Sequence, residues 1–162
     1  MSEKLPRIMK VAPSAPAMLH VSWSKARADK VDLRGWIATG GAILAPLANE
    51  ATFMTAEIVD HGTAVGWAGG DDLAIDAVHL HALAEEQGPF DAAAWQAAVK
   101  LSNQEAAELL GISLSTWNSY RAGSQVPTPV AIACRAALRD PIILHAHYRP
   151  RKVGRPRKAA AR

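Results

Sequence analysis

The stretch that decides the fold is SNQEAAELLGISLSTWNSYRAG, residues 102–123. Ser102 and Glu105 match the S-x-x-E capping box, which marks the first turn of a helix. Gly111 can close that helix, because glycine adopts the left-handed backbone of a helix end at little cost. Ser113 can then cap a second helix through its hydroxyl group. The stretch therefore predicts two short helices joined by a tight turn.

The same stretch also predicts how the two helices pack. Ala107 leaves room for a close crossing of the helices, and Ile112 is expected to fill the space beneath the turn. On the second helix, residues 114–121, Trp117 and Tyr120 are three positions apart and can both face a core. The other side chains of this helix are then available to solvent or to a partner.

Most of those remaining side chains are short and polar, which suits contact with base edges in the major groove of DNA. We expect Asn118 to recognise adenine, because an amide can donate to N7 and accept from N6. Arg121, at the helix end, is expected to meet a phosphate or an acidic side chain. The residues predicted to contact DNA here are Asn103 and Gln104, which would bind phosphate at the start of the first helix, and Leu114, Ser115, Thr116, Asn118, Ser119 and Arg121. A helical hairpin in a small bundle, without DNA contact, is the open alternative.

Residues 101–123, with the following Val126-Pro127-Thr128-Pro129, resemble the lambda-repressor-like or Xre family of helix-turn-helix proteins. The resemblance implies that residues 114–120 lie in a major groove. The sequence departs from the family pattern in one respect. Residues 114–120 contain no Arg, Lys or Gln, which disfavours recognition of guanine. The matching features are the opening Ser102-Asn103-Gln104-Glu105, Ala107, Leu110-Gly111-Ile112-Ser113, Trp117 and the end Arg121-Ala122-Gly123.

Positive charge is concentrated at the carboxyl end of the chain. The net charge is +3, yet the last fourteen residues carry seven basic and no acidic groups, while the other 148 residues carry 11 basic and 15 acidic groups. Such a basic tail predicts a polyanionic partner. Residues 149–162 are rich in proline, alanine and basic residues and are expected to be disordered until bound.

Within this tail, Val153-Gly154-Arg155-Pro156-Arg157-Lys158 resembles an AT-hook. The resemblance implies an extended segment whose arginines lie along a narrow A·T minor groove, where the negative potential is highest. The alternative is a generic basic tail that gains affinity by counterion release. The tail residues predicted to contact DNA are Lys152, Arg155, Pro156, Arg157 and Lys158.

Residues 1–88 predict a small α+β domain with an antiparallel sheet. Alternation over residues 18–23 predicts a strand with one buried face, and residues 31–33 are a candidate third strand. Residues 55–67 predict a hairpin that bends at Asp60-His61-Gly62, and residues 76–86 predict a helix. Gly88-Pro89 marks the predicted boundary. Residues 89–148 then form an all-α helix-turn-helix domain, with further helices at 91–100 and 129–140 and a short element at 142–148.

Residues 7–87 also resemble a small bacterial α+β family, the domain of unknown function 2442. The resemblance implies no known reaction. It implies an antitoxin-like or regulatory role, because some members carry a helix-turn-helix and occur beside toxin-like partners. The matching features are Val31-Asp32-Leu33, Leu47-Ala48-Asn49-Glu50 before Phe53, Val65-Gly66-Trp67 and Gly70-Asp71-Asp72-Leu73.

Candidate catalytic and metal-binding residues are few. Cys134 is the single cysteine, so no disulfide can form within the chain, and it is expected to be a small core residue. His79 and His81 would point apart on a helix, whereas His145 and His147 could converge on an extended segment, although no third ligand is near. We therefore expect no cofactor, no metal and no enzyme activity. The first residues lack a secretory signal and no run is long enough to cross a bilayer, so we expect a cytoplasmic protein.

These patterns favour a sequence-specific bacterial transcription regulator, most simply a repressor, that binds double-stranded DNA. We expect a homodimer on half-sites about one helical turn apart, since one such helix contacts few base pairs. Residues 1–88 would supply dimerisation or partner binding. The alternative is an antitoxin-like protein that binds a toxin-like partner through residues 1–88 and uses DNA binding for autoregulation.

Overall fold

A computed structural model describes residues 5–151 of the chain. The described residues divide into two compact units, and the division lies between Gly88 and Pro89. The N-terminal unit contains two small antiparallel sheets with helices, and the C-terminal unit is entirely helical. The fold class predicted from the sequence, an α+β part followed by an all-α helix-turn-helix part, is confirmed. Across residues 5–151, no helix combines the length and the apolar character that crossing a membrane requires.

The first sheet is a three-stranded antiparallel meander in the order β1-β2-β3. Alternate residues of the central strand are buried, as the sequence pattern predicts: Leu19, Val21 and Trp23. The strands span β1 (Ile8–Ser14), β2 (Met18–Trp23) and β3 (Ala28–Asp32).

The third strand differs from its prediction at both ends. It begins at Ala28, three residues earlier than predicted, and Leu33 belongs to the start of the next helix. The first three residues of β3 carry little apolar signal, because this strand lies at the edge of the sheet. The indole of Trp23 nevertheless donates a hydrogen bond of 2.7 Å to Asp29, so pairing with β2 fixes the strand where the sequence pattern could not show it.

Short helical segments follow the first sheet. Gly40 separates the first two of them, and Gly41, the first residue of the second, has a φ of +64°, a backbone angle that glycine adopts without strain. Asn49 caps the third by accepting the N–H of Thr52 at 3.2 Å. The segments are α1 (Arg34–Thr39), α2 (Gly41–Leu44), a 3₁₀ turn (Ala45–Ala48) and α3 (Glu50–Phe53).

The second sheet is antiparallel in the order β4-β5-β6. The predicted hairpin is present, and Asp60, His61 and Gly62 at its bend all have positive φ. The third strand was not predicted, because three residues are too few to show a period. Its middle residue, Ile75, is buried. The strands span β4 (Glu57–Val59), β5 (Ala64–Gly66) and β6 (Ala74–Asp76).

Helix α4 (Ala77–Gln87) completes the N-terminal unit. Asp76 caps it by accepting the N–H of His79 at 2.8 Å, and Leu80 is fully buried in the core. At its other end, the side chain of Gln87 donates to the carbonyl of Asp32 and accepts the N–H of Asp32, each at 2.8 Å. This amide therefore pairs with the outer edge of β3 as a neighbouring strand would.

The C-terminal unit packs five helices around two tryptophans. The rings of Trp95 and Trp117 meet edge to face, with centroids 5.6 Å apart, and the indole of Trp95 donates to the carbonyl of Cys134 at 2.6 Å. Both indoles thus pack as apolar bodies while their N–H groups find acceptors. The helices are α5 (Ala92–Val99), α6 (Asn103–Leu110), α7 (Leu114–Arg121), α8 (Thr128–Arg139) and α9 (Pro141–His147).

The last helix corrects one expectation about metal binding. His145 and His147 lie on α9, not on an extended segment. Two residues apart on a helix, their side chains point in different directions and cannot share a metal ion. Among residues 5–151, no three His, Cys, Asp or Glu side chains lie close enough together to hold a metal.

Candidate nucleic-acid interface

The turn between α6 and α7 is built from local hydrogen bonds. The hydroxyl of Ser102 accepts the N–H of Glu105, and the carboxylate of Glu105 accepts the N–H of Ser102 at 2.9 Å, which completes the predicted capping box. Gly111 adopts the left-handed conformation, with φ of +67°. Ser113 caps α7 by accepting the N–H of Thr116 at 3.0 Å. The predicted helix, turn and second helix are therefore all present.

Small residues and one large indole hold the two helices together. Ala106 and Ala107 on α6 are fully buried, and so is Trp117 on α7. Tyr120 is half-buried and lies edge-on to the ring of Trp117. Because α7 is anchored along this side, its other side is held in a fixed orientation toward solvent.

The solvent side of α7 carries most of the residues predicted to meet bases. Leu114 is 39% exposed, and four polar residues of the helix are exposed with it. Thr116 is half-buried, and its hydroxyl shares a hydrogen bond of 2.8 Å with Ser113. The exposed polar residues are Ser115, Asn118, Ser119 and Arg121.

One exposed serine of α7, Ser119, also forms a side-chain hydrogen bond within the helix. The hydroxyl of Ser119 donates to the carbonyl of Ser115 at 3.1 Å. A hydroxyl that donates in this way keeps its acceptor lone pairs. Ser119 can therefore accept a hydrogen bond from a base edge without losing its bond to the helix.

A relay of amides connects the buried indole to the exposed side of α7. The indole N–H of Trp117 donates to Oε1 of Gln96 at 2.8 Å, and Nε2 of Gln96 donates to Oδ1 of Asn103 at 2.8 Å and to the carbonyl of Leu101 at 2.9 Å. Nδ2 of Asn103 then donates to Oδ1 of Asn118 at 3.0 Å. The side chain of Asn118 is thus positioned from the core outward.

Gln96 is a part of this site that was not predicted from the sequence. The sequence contains one indication of this role: Gln96 is the single amide side chain in an otherwise apolar helix, AAAWQAAV. A half-buried amide in such a helix needs hydrogen-bond partners. Which partners it finds depends on contacts between α5, α6 and α7, which no local pattern encodes.

The two residues predicted to contact phosphate, Asn103 and Gln104, lie in the first turn of α6. Both side chains already form hydrogen bonds within the protein. Asn103 is half-buried in the relay. Gln104 donates from Nε2 to Oε1 of Glu108 at 2.8 Å, one turn along the helix. The backbone N–H groups at this helix start are the remaining donors for an anion.

The residue that follows α9, Tyr148, contacts the first turn of α6. The hydroxyl of Tyr148 donates to Oε1 of Glu105 at 2.7 Å. The bond from Tyr148, followed by the bonds from the N–H and hydroxyl of Ser102, lowers the pKa of the Glu105 carboxyl to about 2. The same contact raises the pKa of the Tyr148 phenol, because its hydroxyl proton is held by a carboxylate. Nothing in the sequence pattern indicated this contact.

Two arginines follow Tyr148. The guanidinium of Arg149 donates to the carbonyls of Ala146 and Tyr148, at 2.8 and 2.9 Å. Nε of Arg151 lies 3.5 Å from Oε1 of Glu108, and both side chains of this pair are about half exposed. The five tail residues predicted to contact DNA, Lys152, Arg155, Pro156, Arg157 and Lys158, lie outside the described residues.

Charge is divided unequally between the two parts of the chain. Residues 1–88 contain 7 basic and 11 acidic residues, and residues 89–162 contain 11 basic and 4 acidic residues. Three of those four acids, Asp91, Glu105 and Asp140, accept backbone N–H groups at the starts of α5, α6 and α9. Acidic groups in the C-terminal part therefore serve mainly as helix caps. Residues 89–148 contain four basic and four acidic residues, so the excess of positive charge lies in residues 149–162.

Two further features bear on other kinds of chemistry. Burial raises the pKa of the Cys134 thiol to about 12, which keeps it protonated and unsuited to nucleophilic attack. The N-terminal unit has a pocket of about 330 Å³ lined mainly by apolar residues, together with Arg34 and Glu50. The guanidinium of Arg34 is already bonded to the carboxylate of Asp32.

No protein-family model and no curated protein matches the chain. A crystal structure from Nitrosomonas europaea, of a protein to which DNA binding is provisionally ascribed, is 28% identical to this chain. The similarity covers 85% of this chain and 90% of that one, with a TM-score of 0.47.

Proposed function

We propose that this chain is a sequence-specific DNA-binding transcription regulator of the lambda-repressor-like helix-turn-helix class. Helix α7 enters the major groove, and the first turn of α6 lies against a phosphate. The observation that carries the proposal is the two-sidedness of α7. Its one indole, Trp117, is fully buried, whereas Ser115, Asn118 and Ser119 on the same eight-residue helix are exposed.

The charge distribution supports the same proposal. DNA binding gains much of its affinity when Lys and Arg neutralise phosphates and release counterions. The excess positive charge lies in residues 149–162, which follow the helical residues 89–148 in the sequence and carry seven basic and no acidic residues. Three of the four acidic residues of residues 89–148 accept backbone N–H groups at helix starts, where the helix dipole offsets part of their charge.

Recognition of adenine by Asn118 has a specific geometric requirement. Oδ1 of Asn118 already accepts a hydrogen bond from Asn103, but a carbonyl oxygen has a second lone pair for N6 of adenine. Nδ2 of Asn118 then donates to N7. Asn103 acts as a positioning residue, since its bond keeps the amide of Asn118 in one orientation.

We propose a homodimeric repressor, because one eight-residue helix contacts too few base pairs for a useful specificity ratio. The N-terminal unit then supplies the dimer contact or binds a protein partner. Binding rather than catalysis is the proposed activity, and the protonated, buried thiol of Cys134 is consistent with it.

The test is selection of bound sequences from a random pool of duplex DNA by the full-length protein. We expect an enriched motif of two symmetric half-sites whose centres lie about one helical turn apart. A pool bound by the Asn118→Ala variant should lose the base preference at one position in each half-site. Ser24→Ala, which removes an exposed polar group from the N-terminal unit, is the control and should return the wild-type motif. Failure to enrich any motif with the wild-type protein would refute sequence-specific binding.

A further inference from the structure

We propose that the N-terminal unit binds a small apolar molecule with one positively charged amino group, in the pocket lined by Phe53 and Glu50. The apolar part of this ligand fills the pocket, and its ammonium group donates to the carboxylate of Glu50. The inference goes beyond DNA binding, because every residue that carries it belongs to the N-terminal unit. It gives that unit a ligand as well as the proposed dimer or partner contact.

The floor of the pocket belongs to the hydrophobic core of the unit. The pocket has a volume of about 330 Å³, at the lower end of the range typical of small-molecule sites. Ile37, Leu47 and Phe53 line it and are each at most 8% exposed. A ring placed against these side chains leaves water on one face, and this burial of apolar surface drives binding.

Small side chains on a fixed backbone form the walls of the pocket. Ala17, in the turn between β1 and β2, accepts the N–H of Leu33 at 2.9 Å, which ties this turn to the start of α1. Ala38 of α1 and Ala48 of the 3₁₀ turn add only methyl groups to the lining. The pocket is therefore formed before a ligand arrives, and binding has few flexible groups to order.

Two charged residues line the pocket, and their surroundings differ. Nε of Arg34 donates to both carboxylate oxygens of Asp32, each at 3.0 Å, and Nη2 donates to Oδ2 at 2.5 Å. These bonds hold the pKa of the Asp32 carboxyl below its usual range, so both members of the pair are ionised and offset each other. Among residues 5–151, the carboxylate of Glu50 has no hydrogen bond or ion pair. The charge that the pocket offers to a ligand is thus that of one carboxylate.

This arrangement selects among ligands by charge. An anionic ligand would approach Glu50 while the guanidinium of Arg34 is already bonded to another carboxylate. A neutral ligand would gain from apolar burial alone. A cationic ligand gains from burial and also makes a charge-assisted hydrogen bond with Glu50. The wider charge agrees, since residues 35–88 contain eight acidic residues and no lysine or arginine.

The experiment measures how the full-length protein binds three probes of similar shape and different charge at neutral pH: benzylamine, benzyl alcohol and benzoate. We expect benzylamine, which is protonated, to bind about fivefold more tightly than benzyl alcohol, and benzoate to bind least. Isothermal titration calorimetry gives the affinities. Heteronuclear NMR locates the site, and we expect benzylamine to shift the amide signals of Ala38 and Ala48.

Two variants test the pocket and the charge separately. Ala38→Leu adds bulk at an exposed position that lines the pocket, and it should abolish benzylamine binding. Ala42→Leu, the same change at an exposed position of α2 outside the lining, is its control and should bind normally. Melting temperatures close to that of the wild type would show that both variants are folded.

Glu50→Gln keeps the shape of the side chain and removes its charge. We expect it to lower the affinity for benzylamine about fivefold, to that of benzyl alcohol, and to leave benzyl alcohol binding unchanged. Glu57→Gln, at an exposed position of β4 that does not line the pocket, is the control and should keep the preference for benzylamine.

Equal affinities for the three probes, or tightest binding of benzoate, would refute the assigned ligand charge. Benzylamine binding that persists in Ala38→Leu would refute the pocket as the site. If no probe binds the wild-type protein, the inference is refuted, and a dimer that Ala38→Leu converts to monomer in sedimentation would show that a second copy of the chain covers the pocket instead. None of these measurements involves DNA, so this inference and the proposed function can each fail while the other stands.

Discussion

The side-chain amide of Asn118 presents two unequal ends to a partner. Its oxygen already accepts a hydrogen bond from Asn103, and its nitrogen keeps two N–H donors. Hydrogen bonds from the indole of Trp117 to Gln96, and from Gln96 to Asn103, fix the orientation of the Asn118 amide. A base edge that offers an acceptor beside a donor, as adenine does, matches this arrangement without any rotation of the amide.

At this position we expect Asn118→Ala to weaken binding to preferred sites by about 1–3 kcal/mol. Binding to unrelated DNA should not change, because no phosphate contact is lost. Titrations of preferred and random duplexes at one salt concentration measure both. An equal loss on both duplexes would show that Asn118 contacts the backbone and not a base.

Glu105 determines how the C-terminal unit responds to acid. Its pKa is about 2 in the folded chain and close to 4.5 when unperturbed, so the folded state favours the ionised form. The resulting stability is complete above pH 4.5 and is lost as the pH falls through that range toward 2.

We therefore expect the melting temperature of the wild-type protein to fall between about pH 4.5 and 2 more steeply than that of Glu105→Gln. Thermal unfolding followed by far-ultraviolet circular dichroism over this range measures the difference. Parallel profiles for the two proteins would mean that Glu105 is not held by Tyr148 and Ser102 in solution.

At the scale of elements, the α6–α7 pair depends on small side chains at the crossing. Ala106 and Ala107 are fully buried, and no larger residue of α6 is buried as completely. Signals for this pair are local: a capping box, a left-handed glycine and a serine cap. For that reason the pair was predictable from residues 102–123 alone.

Elements that depend on distant partners were less predictable. Strand β6 has three residues and exists because it pairs with β5, and β3 extends to Ala28 because it pairs with β2. The Gln96–Asn103–Asn118 relay and the Tyr148–Glu105 contact also join separate elements. A single sequence encodes such contacts through packing, which local periodicity does not report.

The crossing itself can be tested by overpacking. Ala107→Leu should destabilise the C-terminal unit by about 1–3 kcal/mol and impair DNA binding, because the helices cannot separate without moving α7. Ala98→Leu, on the exposed side of α5, is the matched control and should have little effect. Denaturant unfolding measures both variants. Wild-type stability for Ala107→Leu would contradict the assigned close crossing.

For the whole molecule, charge is the property that varies most along the chain. Residues 1–88 have four more acidic than basic residues, and residues 89–162 have seven more basic than acidic residues. A chain with this distribution attracts a polyanion at one end and disfavours it at the other. Ionic strength should therefore control the affinity for DNA more strongly than any single contact does.

Deleting residues 149–162 should lower DNA affinity and reduce the slope of log K against log salt by about 0.9 for each lost phosphate contact. A tail of the same composition in scrambled order is the control, since it keeps the charge and loses the Gly154-Arg155-Pro156-Arg157 order. Fluorescence anisotropy over a salt series measures the slopes. An unchanged slope after deletion would exclude contact between the tail and DNA, and an A·T preference lost on scrambling would favour the AT-hook over a generic basic tail.

The amide of Gln87 has a consequence for how the N-terminal unit can be handled. By pairing with both backbone groups of Asp32, it occupies hydrogen bonds through which a strand of another molecule would otherwise attach. A fragment cut before Gln87 would uncover that edge and invite aggregation through strand addition. Any truncation designed to isolate this half of the protein should therefore retain the final turn of α4.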